Sequence, residues 1–183
     1  IMVGMIAVAD DMFLLLLGER WMPTVPYFKI LSLSGLFYPL SMIAYNVLKV
    51  AGDGAVIIRL EIVKKAIMTV ILAITIPHSA VAVAWGLVAM AGVEFLLNTA
   101  ASLRFARLKV RDILATLCPV LLLTAAMYCA VTLAIPHLAS LNLLLRFVIE
   151  VGIGVVVYTV GAVAFRMRFV AEIRETVLRM FRR

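Results

Sequence analysis

An all-α integral membrane fold, with five complete transmembrane helices behind an N-terminal helix stub, is what this sequence of 183 residues predicts. Composition is the first reason: 66% of the residues are hydrophobic and 15% charged, with a mean hydropathy of +1.17, more apolar surface than a soluble core can hide. The second is length. Stretches 27–50, 60–77, 79–103, 113–136 and 143–165 are each 18 to 25 residues long, against the roughly 20 that cross ~30 Å of hydrocarbon as a helix. The third is charge: 14 of the 17 basic residues fall in every second connection or in the tail after residue 165.

Taken in order, Ile1 to Ala9 reads as the final turns of a helix already under way, which ends near Gly18-Glu19-Arg20-Trp21. The chain is therefore expected to be a piece of a longer protein. No basic region or small-residue cleavage site marks its start as a signal peptide. Arg20 and Lys29 precede or open the first span. The second connection, Lys49 to Lys65, holds Lys49, Arg59, Lys64 and Lys65, and the fourth holds Arg104, Arg107, Lys109 and Arg111. Ile76-Pro77-His78 and the segment from Pro136 to Asn142 hold no Lys or Arg. By the positive-inside rule the rich side is cytoplasmic, the first span runs inward and the C-terminus is cytosolic. The net charge of +7 is thus topological, and no basic face interleaved with aromatics points to nucleic acid.

Polar residues at membrane depth are the candidates for function. In the first span Ser34, Tyr38, Ser41, Tyr45 and Lys49 recur at steps of four, three, four and four, so they share one helical face. Such a stripe suits a water-filled cavity or other helices better than lipid, and Pro39 is expected to kink the span. Lys49 reads either as a cationic contact near the cytoplasmic end or as a snorkelling lysine. In the third span Glu94, Asn98 and Ser102 follow at steps of four. A carboxylate at the bilayer centre costs on the order of 2.5–3.5 kcal/mol, so Glu94 should have a partner or a purpose, ion coupling among them.

In the last span Arg146 and Glu150 are four apart and pair along the helix, a structural reading. Gly154 and Gly161 flank Tyr158 and permit close helix approach, while Thr124, Tyr128 and Thr132 form a mild polar row in the fourth span. His78 and His137 each follow an Ile-Pro at a span end and read as incidental to a helix stop. Cys118 and Cys129, eleven residues apart on one helix, lie ~16 Å apart along its axis and cannot bridge. Residues 166–183, with Val170, Ile173, Val177 and Phe181 at helical spacing and six arginines, describe a cationic amphipathic helix on the inner leaflet. No phosphate loop, HExxH, paired CxxC or GxSxG is present, so no cofactor, metal or catalytic residue is expected.

Several phrases recur in a recognisable order. They are Ala9-Asp10-Asp11 leading to Leu17-Gly18-Glu19-Arg20-Trp21, then Pro26-Tyr27-Phe28-Lys29-Ile30-Leu31, Leu48-Lys49-Val50-Ala51-Gly52-Asp53, and Val81-Ala82-Val83-Ala84-Trp85-Gly86. Together they resemble the C-terminal part of the polysaccharide transporter family, the lipid-linked oligosaccharide and O-antigen flippases grouped with the multidrug and toxin extruders. The resemblance implies that residues 1–110 correspond to the end of helix nine through helix twelve of a two-lobed (MATE-like) fold, 111–165 to its final helix pair, and 166–183 to a cytoplasmic tail. It implies alternating access in a bacterial inner membrane, moving undecaprenyl-pyrophosphate-linked repeat units for exopolysaccharide, capsule or O-antigen. The partners implied are the bilayer, that lipid-linked oligosaccharide, the N-terminal portion of the same transporter and the polysaccharide polymerase machinery. A departure is cationic poverty at depth, since only Lys49 and Arg146 are placed to meet a pyrophosphate.

The expected substrate pathway is Ser34, Tyr38, Ser41, Tyr45, Lys49, Glu94 and Asn98. A cation-coupled multidrug or metabolite extruder of the same fold is the alternative, with Glu94 coupling to the ion. A membrane-embedded enzyme or assembly subunit is a third.

Overall fold

Helices account for the regular structure, and no strand occurs among the described residues, which in this computed structural model are 1–51, 54–106, 110–138 and 140–164. The expected amphipathic tail lies outside them, as do Arg107 and Lys109. Two short helices, α1 (Met2–Ala7) and α2 (Ala9–Leu16), lead through a 3-10 turn (Glu19–Thr24) into α3 (Val25–Ala51). There follow α4 (Gly54–Thr75), α5 (Ala80–Ala106), α6 (Val110–Leu138) and α7 (Leu143–Ala164). The chain divides into two compact units, Ile1–Leu114 and Ala115–Arg183.

Among the described residues four helices are long and apolar enough to cross a membrane: the segment ending in α3, then α5, α6 and α7. The expected span 60–77 differs from them. Its helix, α4, starts at Gly54 and carries Arg59, Glu61, Lys64 and Lys65 before residue 66, so the charge-free stretch 66–75 is only ten residues. Helix α7 shows what forces the helical state, for it is rich in valine and glycine, poor helix formers. In an apolar solvent every backbone N–H and C=O must be satisfied within the segment, and that requirement outweighs propensity. Outward faces fit the same solvent, with Ile43, Ile62, Val70, Leu133, Val155 and Val160 each more than half exposed.

Helix ends are specified locally. Ser79 Oγ accepts the Ala82 N–H at 3.1 Å to start α5, and Asn142 Oδ1 accepts the Leu145 N–H at 2.9 Å to start α7. Both histidines turn back on their own helices: His78 Nδ1–H donates to the Ile74 carbonyl at 2.8 Å and His137 Nδ1–H to that of Leu133 at 3.1 Å.

In the first unit α5 packs along α3, with Leu48, Ala84, Asn98 and Ser102 buried in the unit and Phe37 and Phe95 in ring contact at 6.1 Å. The stub braces α3: Met2 Sδ lies 3.0 Å from where a Cβ on Gly35 would stand, Phe13 meets Phe28 at 5.1 Å, and Lys29 Nζ donates to Asp10 Oδ2 at 2.5 Å. Gly18, at φ +82°, makes the reversal between α2 and the 3-10 turn. Helix α4 leans on α5, where Gly86 lets Ile71 Cγ2 and Thr75 Cγ2 come within 3.0 Å of its missing Cβ.

In the second unit α7 lies against α6 at its glycines. A Cβ on Gly161 would stand 2.0 Å from Leu123 Cδ1, and one on Gly154 would stand 3.6 Å from Val131 Cγ2. Thr124 and Thr132 donate to the carbonyls of Val120 and Tyr128 in their own helix, at 2.7 and 2.8 Å. Those two hydroxyls therefore need no second helix.

Candidate functional site

A cavity of about 670 Å³ opens among α3, α4 and α5. The polar stripe of α3 forms one wall through Ser34, Tyr38, Ser41 and Tyr45. Helix α5 supplies Glu94 and Asn98, one turn apart on one face, and α4 supplies Glu61, Lys64 and Lys65. Phe37, Met68, Leu87 and Met90 make the remaining wall apolar. Six of the seven residues expected on the pathway thus line one cavity. Lys49 does not line it; this exposed lysine holds its Nζ 4.6 Å from the centre of the Tyr45 ring.

The charge at the heart of the site is Lys64. Only 3% exposed, it donates to Glu61 Oε1 one turn away in α4, and its Nζ stands 3.6 Å from Glu94 Oε1 across the gap to α5. The same ammonium faces the Tyr45 ring at 4.9 Å, so two cations share that ring. Lys64 was counted among the basic residues of the second connection although the expected span 60–77 already contained it; α4 turns it inward, and it adds a buried cation to the two, Lys49 and Arg146, that the sequence offered. Glu94 also departs from the picture of a buried acid: its side chain is 46% exposed, toward the cavity, and that of Glu61 is 39% exposed.

Hydrogen bonds fix the other wall. Asn98, 1% exposed, donates from Nδ2 to Ser41 Oγ at 2.8 Å, joining α5 to α3 in the low-dielectric interior where such a bond is strongest. Its Oδ1 is buried without a hydrogen-bond partner, a cost of about 1–3 kcal/mol. Ser34 Oγ is turned back to the Leu31 carbonyl at 2.6 Å, and Ser102 Oγ to that of Thr99 at 2.9 Å. The hydroxyl of Ser34 therefore lines the cavity with its proton already committed.

The expected pair in α7 has its own geometry. Arg146 Nε lies 3.8 Å from Glu150 Oε1; the acid side chain is 1% exposed and the base 24%. Both belong to the second unit, separate from the cavity residues of the first. No group of three or more His, Cys, Asp or Glu side chains able to hold a metal occurs among the described residues. What the cavity offers is a binding surface: one internal ammonium, two carboxylates that face open space, two tyrosine rings and an apolar wall.

Glu61, Lys64 and Lys65 were absent from the residues expected on the pathway. A signal was available, since Glu61 and Lys64 stand three apart inside the expected span 60–77 rather than before it. A charge there needs a partner for the same reason that Glu94 does.

No family model, curated protein or solved structure matches this chain.

Proposed function

We propose that this chain is part of an alternating-access membrane transporter, with five crossings counting α4, that moves undecaprenyl-pyrophosphate-linked oligosaccharide units across a bacterial inner membrane for surface polysaccharide assembly. The observation that carries the reading is the amphiphilic cavity with Lys64 inside it. An apolar wall alongside an ammonium, with Lys49 across the shared Tyr45 ring, offers a place for a lipid-borne phosphate group. The order of sequence phrases supports the same family. Helix α4 spans in this reading because its four charged residues meet the cavity or the cytoplasmic interface, where lysine and arginine stems extend to water. The lysine-rich connection is cytoplasmic, as is the C-terminus.

The test is export of a labelled undecaprenyl-diphosphate sugar in cells deleted for the gene and complemented by wild type or by Lys64→Met. Loss of export in the deletion, restored by wild type and not by Lys64→Met, is the expected result. Undiminished export in the deletion strain removes the flippase reading.

One observation favours a second reading, a cation-coupled extruder of drugs or metabolites. Glu61 and Glu94 present partly exposed carboxylates beside Tyr38 and Tyr45, a setting that also suits an organic cation. Deletion cells with normal glycan export and heightened sensitivity to lipophilic cations would support it.

A further inference from the structure

Lys64 is held by its two acids on unequal terms. Glu61 sits on the same helix and travels with it, so that pair survives any movement of α4. Glu94 belongs to α5, and at 3.6 Å it stands near the limit of an ion pair. At the other end α4 is fastened to α5 by close apolar packing of Ile71 and Thr75 on Gly86. Near the cavity the ion pair that joins the two helices, among the described residues, is the Lys64–Glu94 contact.

Exposure makes that tie exchangeable. The ammonium is the buried partner, its side chain 4% exposed, whereas the side chain of Glu94 is 46% exposed and can be solvated from the cavity if Lys64 leaves it. An entering anion competes with Glu94 for the Lys64 charge. Helix α3 helps on the anion's side: Lys49 lies across the Tyr45 ring and has no carboxylate partner among the described residues.

We propose that Lys64 is an exchangeable counter-ion, which bridges α4 to Glu94 in the empty cavity and transfers to the phosphate oxygens of a bound diphosphate, unfastening α4 from α5. The inference rests on the reading above that the substrate carries a diphosphate. No bond is made or broken; one ion pair replaces another. In this scheme the contact to Glu94 works against binding, so removing the acid strengthens it. A structural ion pair behaves in the opposite way.

The test uses the protein expressed from its full gene, in phosphatidylcholine nanodiscs, titrated with inorganic pyrophosphate and with farnesyl diphosphate. Glu94→Gln is expected to bind the diphosphates about two- to fivefold more tightly than wild type, the range set by one half-exposed ion pair held in competition. Lys64→Met is expected to lose binding. If Glu94→Gln fails to purify, Glu94→Asp draws the carboxylate back by one methylene and gives the same direction.

Spin labels at Ile58→Cys on α4 and Leu96→Cys on α5, both exposed positions, with Cys118 and Cys129 replaced by serine, provide a second readout. Diphosphate should shift the wild-type distance, and Glu94→Gln should show the loaded distance without ligand. Binding that is equal or weaker in Glu94→Gln, or a distance indifferent to ligand, overturns the exchange and leaves the flippase reading in place. Failure of wild type to bind either diphosphate overturns both. Binding of farnesyl diphosphate with none of inorganic pyrophosphate assigns the site to a lipid-borne group rather than a free anion, and keeps the exchange if the Glu94→Gln gain is present.

Discussion

The Lys64 cluster and the Arg146–Glu150 pair both set charge into apolar helices, yet they are built in opposite ways. In α7 the acid is the buried member, its partner lies one turn away on the same helix, and the pair moves as one body. In the first unit the base is the buried member, and its two acids come from different helices and face a cavity. The contact between Arg146 and Glu150 joins two positions of one helix, so this ion pair cancels charge without bridging to a second helix. A pair strung between helices depends on their separation. The difference separates a charge pair held within one helix from one that, in the proposed exchange, responds to what enters between helices.

That comparison can be broken most directly by neutralising each base. Lys64→Met should lower glycan export more than tenfold while shifting the thermal unfolding midpoint in detergent by only a few degrees, because Glu61 and Glu94 can take up cavity water. Arg146→Met should do the reverse. Depriving the fully buried Glu150 of its arginine should cost on the order of 3 kcal/mol of stability, read as a lower unfolding midpoint, with export per folded molecule unchanged. If both variants affect the same measurement, the two clusters do not differ in kind.

The glycines of α7 sharpen the comparison on the structural side. Gly161→Val should destabilise the protein by about 1–3 kcal/mol, since its Cβ falls on Leu123 and that side chain must leave its rotamer. Gly154→Ala, facing Val131 at ordinary contact distance, should stay within about 0.5 kcal/mol of wild type. The histidines fall between these two. His78→Ala and His137→Ala each remove one bond to an exposed helix end, about 0.5–1 kcal/mol, and should leave the pH profile of export unmoved. A profile displaced by either would give that imidazole a role in proton movement.

Much of the architecture could be read from residue order alone, because in lipid a long apolar run has few options. The α3 stripe and the Glu94–Asn98 face were also legible, since helical spacing gathers them whatever the neighbours are. Lys64 was not. Periodicity says which residues share a face, but not where a helix begins relative to the charges that flank it. Lys64 lay inside the expected span 60–77, yet only the packing of α4 on α5 shows that it faces a cavity and not lipid or the interface. The position of Lys49 outside the cavity wall has the same origin, one turn beyond the last residue of the stripe that the neighbouring helices enclose. Glu94 could be located but not its surroundings, for an acid in an apolar run looks the same facing a void or facing packed helices.

The close seat of Ile71 and Thr75 against Gly86 has a mechanical meaning. It leaves α4 pinned at one end, with Lys64 about three turns, or ~16 Å, farther along a stiff rod. Tilting that rod by about 10° on its seat carries Lys64 sideways by roughly 3 Å, enough to take a contact of 3.6 Å from Glu94 beyond ion-pair range. A modest pivot at the glycine thus becomes a complete break at the lysine, which makes the helix a lever with its fulcrum set by the absence of one methyl group.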